Sequence, residues 1–340
     1  MGRGPTNQYY KSINDSYIEG TLTCLKPEVI KQDINIDFPL VLNIEPTNAC
    51  NLHCTCCPRQ KTVRYQGVHY LPIKTFKQII DEASEYSQLV MLNLHKDGEP
   101  LLNNDLSEMI AYAKKKNIAK TIHLNTNGTL LGTIAGKKLL ESGIDDITIS
   151  IDAAYPETYW KLKGSRDFDS LNKSIESFIE YRDRIGFKTT IRVKIMEFAL
   201  VSSSEIKAFY DKWNGIADQV QVTGVHDWSG EISDLSITDE TSSVRYPCAL
   251  LWYMLAINSN GKVSICNVDW DYSGVVGNLY EKKLHDIWND LPIQNIRKAH
   301  LDSKWNYVPV CDLCVVWVSV GDLKSFFQSR PEFVYPNAEQ

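Results

Sequence analysis

Six short runs rich in Val, Ile, Leu and Thr alternate with longer amphipathic stretches between residues 38 and 230, and few folds accommodate that rhythm. The runs are LVLNIE (40–45), QLVMLNL (88–94), KTIHLN (120–125), DDITISI (145–151), TTIRVKI (189–195) and DQVQVT (218–223). Each has the length and the β-branched content of a buried parallel strand. The intervening stretches are helical in period. In FDSLNKSIESFIEYRDRIG, Leu171, Ile175, Phe178 and Ile179 fall on one face. Six such units imply a parallel α/β sheet with crossover helices. A full eight-unit barrel takes roughly 250 residues, so a partial (β/α)6 TIM-like barrel fits the available length better. An open doubly wound sheet has the same periodicity and remains the alternative.

After residue 246 the pattern changes. LWYMLAINSNGKVSICNVDW carries Asn260-Gly261 between two β-rich runs, a strong hairpin signal. A helical stretch and then VCDLC follow. We divide the chain into an N-terminal extension (1–37), a barrel (38–240), a small C-terminal unit of β-hairpin and helices (241–325) and a tail (326–340).

Chemistry concentrates in cysteine. Of nine cysteines, four crowd into NACNLHCTCCPRQ directly after the first strand, and four lie in the C-terminal unit. The count is odd and the spacing is local, unlike a disulfide framework. Such clusters in a reducing compartment are metal or redox sites. The longest apolar run, ALLWYMLAI, is half the roughly 18 residues of a membrane span. The N-terminus lacks the hydrophobic core of a secretory signal, so we expect a cytoplasmic protein. A formal charge of −6 argues against a nucleic-acid partner.

Cys50, Cys54 and Cys57 form C-x3-C-x2-C. Three thiolates can ligate three irons of a cubane and leave the fourth open, whereas zinc prefers four closed ligands. Cys56, beside Cys57, is poorly placed to complete such a tetrahedron. In the C-terminal unit Cys248, Cys266, Cys311 and Cys314 give C-x17-C-x44-C-x2-C, and the hairpin brings the first two together. Four thiolates suit a structural zinc or a fully ligated [4Fe–4S] cluster equally well.

At this point the sequence resembles the radical S-adenosylmethionine (SAM) enzymes, whose three-cysteine pattern follows the first strand of a partial barrel. The resemblance implies that SAM chelates the open iron of a SAM-binding [4Fe–4S] cluster. Reductive cleavage then yields a 5′-deoxyadenosyl radical that abstracts hydrogen from a substrate. KDGEPLLN, after the second strand, resembles the family's Gly-Gly-Glu-Pro segment for the SAM amino group, which assigns Gly98 and Glu99, with Asp97 standing where a glycine is usual. By the same resemblance Ser150 and Asp152 lie near the SAM ribose. Asn125 and Asn127 share the rim of the third strand, and Arg192 on the fifth meets the SAM carboxylate if it points inward. The residue before the last cluster cysteine is usually aromatic in this family. Here it is Cys56, a small space-filler or, with Cys24, a free thiol able to return hydrogen to a substrate radical.

The C-terminal unit is similar to the SPASM/twitch extensions of that superfamily. Its four cysteines imply one auxiliary [4Fe–4S] cluster. These extensions occur in dehydrogenases and epimerases of sugars and aminocyclitols and in peptide maturases. The polar N-terminal stretch shows no obvious leader-recognition domain, so the expected reaction is dehydrogenation of a small polyhydroxylated substrate, with the auxiliary cluster as electron acceptor. Epimerisation and peptide maturation are the alternatives, and a zinc-binding interaction protein is the non-enzymatic one. The family implies a flavodoxin or ferredoxin as electron donor. His226 and Asp227, at the end of the sixth strand, and His95, after the second, are candidate bases for a substrate hydroxyl proton.

Overall fold

All six apolar runs form strands: β1 (Val41–Ile44), β2 (Leu89–Asn93), β3 (Ala119–Thr126), β4 (Asp146–Ser150), β5 (Thr190–Met196) and β6 (Gln219–Thr223). The computed structural model describes residues 38–86, 88–225, 228–232, 245 and 247–317. The strands lie side by side in chain order, and each neighbour is parallel. A doubly wound sheet would grow outward from β1 in both directions. Strict sequential order is that of a barrel, and because β6 and β1 do not pair, the barrel is partial.

Helices fill the crossovers. Those that matter for the site are α1 (Arg59–Gln66), α2 (Ile73–Ala83), α3 (Leu106–Lys116), α4 (Ile134–Glu141), α5 (Pro156–Lys163), α6 (Phe168–Ile185) and α7 (Ser203–Trp213). The predicted stripe of α6 is buried, Leu171, Ile175, Phe178 and Ile179 included. At the start of α7 the Ser202 hydroxyl accepts from Glu205 N (3.2 Å). The Glu205 carboxylate reaches back to Ala154 N (2.9 Å) and Thr158 Oγ1 (2.9 Å), pinning the loop that follows β4.

Each strand has an apolar and a polar face. On β5, Ile191, Val193 and Ile195 are fully buried, while Arg192 and Lys194 alternate with them on the opposite face. With Asn43, Asn93, His123 and Asn125 they give the bore a polar lining.

The C-terminal unit is not a separate sheet. Its hairpin, β7 (Met254–Ile257) and β8 (Lys262–Ser264), turns at Gly261, whose φ of +85° favours glycine, and continues into β9 (Val275–Asn278). β7 pairs in parallel with the free edge of β1, register Val41 to Met254, and the barrel sheet runs on through it. Leu40 N and Val41 N both donate to Tyr253 O at 2.9 Å. α8 (Leu284–Asn289), α9 (Leu291–Leu301) and the short α10 (Pro309–Asp312) complete the unit. His285 at the start of α8 stacks on Tyr86, ring centroids 4.7 Å apart, beside α2. Among the described residues no helix is long and apolar enough to cross a membrane.

Candidate functional site

The loop carrying the first cysteines is pinned through Thr47, Asn48 and Thr55. Thr47 Oγ1 donates to His69 O (2.7 Å), Asn48 Oδ1 accepts from His69 N (2.7 Å) and Arg59 Nε donates to Asn48 O (2.7 Å). At the far side Thr55 N donates to Leu162 O (2.9 Å). Burial pushes the Cys57 thiol up to about 12. Cys54 is held below the usual thiol range by its hydrogen bond with Cys56 and by the nearby Lys163 charge. No three His, Cys, Asp or Glu side chains among the described residues close to the distances of a single metal ion. Three thiols on one short loop suit three irons of a cubane.

Gly98 is pressed against this loop. A Cβ built there would lie 2.1 Å from Thr47 O and 2.6 Å from Ala49 O, so no side chain fits. The next residue seals the contact, Glu99 N donating to Ala49 O at 2.7 Å. The Glu99 carboxylate is 2% exposed and accepts from Thr126 Oγ1 (2.7 Å), Asn127 N (2.7 Å) and Leu101 N (3.2 Å). Burial nevertheless raises its pKa to about 7. Asn127 Nδ2 contacts Cys50 Sγ at 3.8 Å and Asn51 Oδ1 at 2.9 Å, so Glu99, Asn127 and Cys50 form one continuous rim.

At the end of β4, Asp152 adopts φ +61°, fixed by two backbone bonds from Ile151 N and Asp152 N to Lys194 O, each 3.1 Å. Lys163 Nζ donates to its Oδ2 at 2.5 Å, and Oδ1 is buried without a partner among the described residues. Burial opposes the Lys163 charge, but Asp152 and the neighbouring thiols outweigh it and hold that pKa up. Lys194 faces the same region and is half-buried, and desolvation pushes its pKa down; no described side chain pairs with its ammonium. Ser150 is the register partner of Lys194 across β4 and β5.

Three expected residues sit elsewhere in the network. Arg192 is on the bore face, but its guanidinium is taken by Asp146 and by Gln219 Oε1 (2.6 Å). It lies one inward-facing position before Lys194, nearer the N-terminal end of β5. Lys194, which parity along β5 places on the same face, is a second cation there that no motif singles out. Asn125 stands between two imidazoles, its side-chain amide 3.1 Å from Nε2 of both His95 and His123. His123 Nδ1 in turn lies 3.1 Å from Asp146 Oδ1. The Asn125 backbone N–H approaches His95 Nδ1 at 3.3 Å, so both nitrogens of His95 are engaged by one residue. Burial also keeps His95 neutral, its pKa well below the usual value. His95 is thus one member of a hydrogen-bonded chain that runs through Asn125 and His123 to Asp146. Cys56 is buried, with its thiol donating to Leu162 O at 3.9 Å, a space-filling position. His226, Asp227 and Cys24 lie outside the described residues.

The Asp97 that replaces a glycine has a structural partner. Its carboxylate accepts from Lys96 Nζ (2.6 Å), and both side chains are at most 2% exposed. Lys96 also donates to Asp269 O (3.0 Å) and lies over the Tyr272 ring (5.3 Å). Asp97 N donates to Glu45 Oε1 (3.1 Å), whose other oxygen accepts from Ser259 Oγ (2.6 Å) at the hairpin. The segment before Gly98 is thus tied to the loop that follows Cys266.

In the C-terminal unit Cys248, Cys266, Cys311 and Cys314 line one small buried cavity, together with Arg245 and His300. Burial raises the Cys248 thiol to about 12 and raises Cys266 and Cys311 as well. Unliganded, these thiols would stay protonated; a metal centre is what would make them thiolates.

Comparison with known proteins agrees with both constellations. Residues 44–193 match the Radical SAM superfamily, and residues 248–315 match SPASM, an iron–sulfur cluster-binding domain. A probable GTP 3′,8-cyclase of Methanococcus maripaludis is 34% identical over 134 residues, 39% of this chain and 43% of that protein. Mycofactocin maturase MftC of Mycolicibacterium smegmatis is 30% identical over 152 residues, 44% of this chain and 37% of that protein. The chain spans less than half the length of these relatives. Among solved structures, BtrN in complex with AdoMet and 2-DOIA aligns with a TM-score of 0.55 at 16% identity, over 82% of this chain and 93% of that one. Streptococcus suis SuiB bound to the precursor peptide SuiA aligns at 0.61 and 17% identity, over 87% and 73%. At these identities the likeness to the solved structures is one of fold.

Proposed function

Because the chain belongs to the radical SAM superfamily, carries a SPASM segment and so takes SAM, a [4Fe–4S] cluster and auxiliary iron–sulfur as cofactors, we propose that it is a dehydrogenase of a small polyhydroxylated substrate. A sugar, an aminocyclitol or a nucleotide-linked derivative has the C–H beside a hydroxyl that this chemistry needs. The observation that carries the reading is the meeting of Cys248, Cys266, Cys311 and Cys314 at one buried cavity. Oxidising an alcohol to a ketone leaves an electron over once hydrogen and proton have gone, and a redox centre there would receive it. The likeness in fold to BtrN, solved with 2-DOIA, supports a small-molecule substrate.

In this reading Cys50, Cys54 and Cys57 hold the first cluster, and bound SAM supplies the hydrogen-abstracting radical. Glu99 takes the SAM ammonium at the floor formed by Gly98. Lys194, in place of Arg192, faces the SAM carboxylate. The unpartnered Oδ1 of Asp152 is left for a hydroxyl, with Ser150 at the end of the same strand. His226 or Asp227 accepts the substrate hydroxyl proton. A flavodoxin- or ferredoxin-type donor would approach beside the first loop, where a cleft of about 500 Å3 opens between Asn51, His53, Thr129 and Arg166.

Peptide maturation is the second reading, favoured by the similarity to MftC and by the likeness in fold to SuiB. Anaerobic turnover with SAM, a reductant and a panel of polyols separates the two. Formation of 5′-deoxyadenosine in step with a ketone product is the expected result. Deoxyadenosine that rises only when a precursor peptide is added would overturn the small-molecule reading.

Glu99 gives a pH signature. Its carboxylate form binds an ammonium, and with a pKa near 7 it is mostly neutral at pH 6. SAM affinity should therefore rise about tenfold between pH 6 and 8 and then level off. Without SAM the sign is opposite for stability: the raised carboxyl favours folding below 4.5, and that contribution is lost as pH rises through 7. Equilibrium dialysis across that range checks the first expectation, and Glu99→Gln should flatten the profile.

A further inference from the structure

Two side chains at the auxiliary site have donors to spare. Arg245 and His300 line the cavity shared by Cys248, Cys266, Cys311 and Cys314. Each buries one N–H without a partner among the described residues, Nε of Arg245 and Nε2 of His300. Neither side chain is loose. Arg245 Nη1 donates to Asp312 O at 2.9 Å and Nη2 donates to Cys311 O, while the guanidinium lies 5.0 Å over Trp305 and 5.8 Å over Trp317. His300 is 1% exposed, its Nδ1 accepts from Cys248 N at 3.4 Å and its ring meets Trp305 edge-on. With Nδ1 an acceptor, the ring proton sits on Nε2, so that nitrogen is a donor.

A buried N–H left without an acceptor costs about 1–3 kcal/mol. Two of them in one cavity call for an acceptor that the described residues do not provide. A sulfur-rich, net-negative group held by four thiolates is such an acceptor. We propose that Arg245 and His300 donate hydrogen bonds to the iron–sulfur group of this site and so raise its reduction potential. The inference rests on reading the four cysteines as an iron–sulfur centre.

The physical basis is charge. Reduction adds an electron to an already negative group, and N–H donors and a guanidinium stabilise the reduced form more than the oxidised one. Asp269 and Asp312 are the nearby carboxylates that work in the opposite direction, their charges being felt at Cys266 and Arg245 respectively. A raised potential is what an acceptor of a substrate-derived electron needs. A purely structural site has no use for it.

The test uses the full chain, reconstituted anaerobically, as wild type, His300→Leu, His300→Gln and Arg245→Met. Iron, sulfide and zinc are counted first, and each protein is then titrated potentiometrically with EPR detection. Spectra of a Cys311→Ala/Cys314→Ala protein identify the signal of the first cluster. His300→Leu and Arg245→Met should each lower the reduced-to-oxidised ratio of the auxiliary centre about tenfold at fixed ambient potential, about 59 mV for one electron. His300→Gln, which keeps an N–H, should recover most of that, and the first cluster should not move. A ratio changed less than twofold in both His300→Leu and Arg245→Met, with iron retained, overturns the proposal. So does loss of the C-terminal irons from His300→Leu, because the ring would then be holding the site together. Zinc in place of iron at the C-terminal site of the wild type would instead overturn the underlying iron–sulfur reading, and it would be visible before any titration.

Discussion

Gly98→Ala is expected to abolish SAM cleavage and to cost about 3 kcal/mol of stability or more. The added methyl group would lie 2.1 Å from Thr47 O, 2.6 Å from Ala49 O and 2.8 Å from Asn48 C. All three are backbone atoms of the loop that precedes Cys50, so no side chain can swing aside to relieve the clash. Nor can the loop retreat freely. Its backbone is bonded to His69 and Arg59 on one side and to Glu99 N on the other. Whichever strand of this contact gives way, Glu99 and the cysteine loop separate. Iron in the reconstituted protein should fall by about half, with the C-terminal irons retained, and the apparent melting temperature should drop by about 4 °C or more. Iron analysis and differential scanning fluorimetry read both effects. Full iron loading with normal deoxyadenosine formation would mean that the contact at Gly98 does not set the site.

How far the sequence foretold this arrangement differs between its parts, for physical reasons. The six strands were legible because burial on parallel strands demands uninterrupted Val, Ile and Leu, as in Ile191, Val193 and Ile195. The hairpin was legible because Asn260-Gly261 meets a backbone requirement that few residue pairs satisfy. That β7 would extend the barrel from the edge of β1 was not legible, since edge pairing depends on which backbone groups remain free after folding. The roles of Arg192 and Lys194 illustrate the same limit. Parity puts both on the bore face, and only the fold brings Asp146, from the neighbouring strand β4, to neutralise the first and leave the second open. His95 looked like a base as a lone histidine at a strand end. Asn125, 30 residues later, occupies both its nitrogens. Asp97, a departure from the glycine of the family pattern, acquired a meaning only when Lys96 and the loop after Cys266 were seen around it. Arg245 and His300 belong to no motif, and their unpartnered N–H groups exist only in three dimensions.

The dehydrogenase reading turns on the Cys311→Ala/Cys314→Ala protein. With both thiols gone the auxiliary group loses two of its four ligands, and about eight irons per chain should fall to about four. The first-cluster loop and the segment after β2 are bonded to the C-terminal unit through Thr62, Lys96 and Glu45, which the variant leaves in place, so deoxyadenosine should still form. Ketone formation should fall at least about a hundredfold, because the electron left on the substrate has nowhere to go; SAM cleavage would then run uncoupled from oxidation. That split is the point of the measurement, since a variant that merely misfolded would lose both activities together. Iron near four in the wild type as well as the variant, with zinc lost on mutation, would make the site structural. An unchanged yield of ketone in the variant would remove the auxiliary centre from the reaction. Redox-neutral chemistry would then account better for the same first cluster, and the SAM-holding role proposed for Glu99, Asp152 and Lys194 would be untouched.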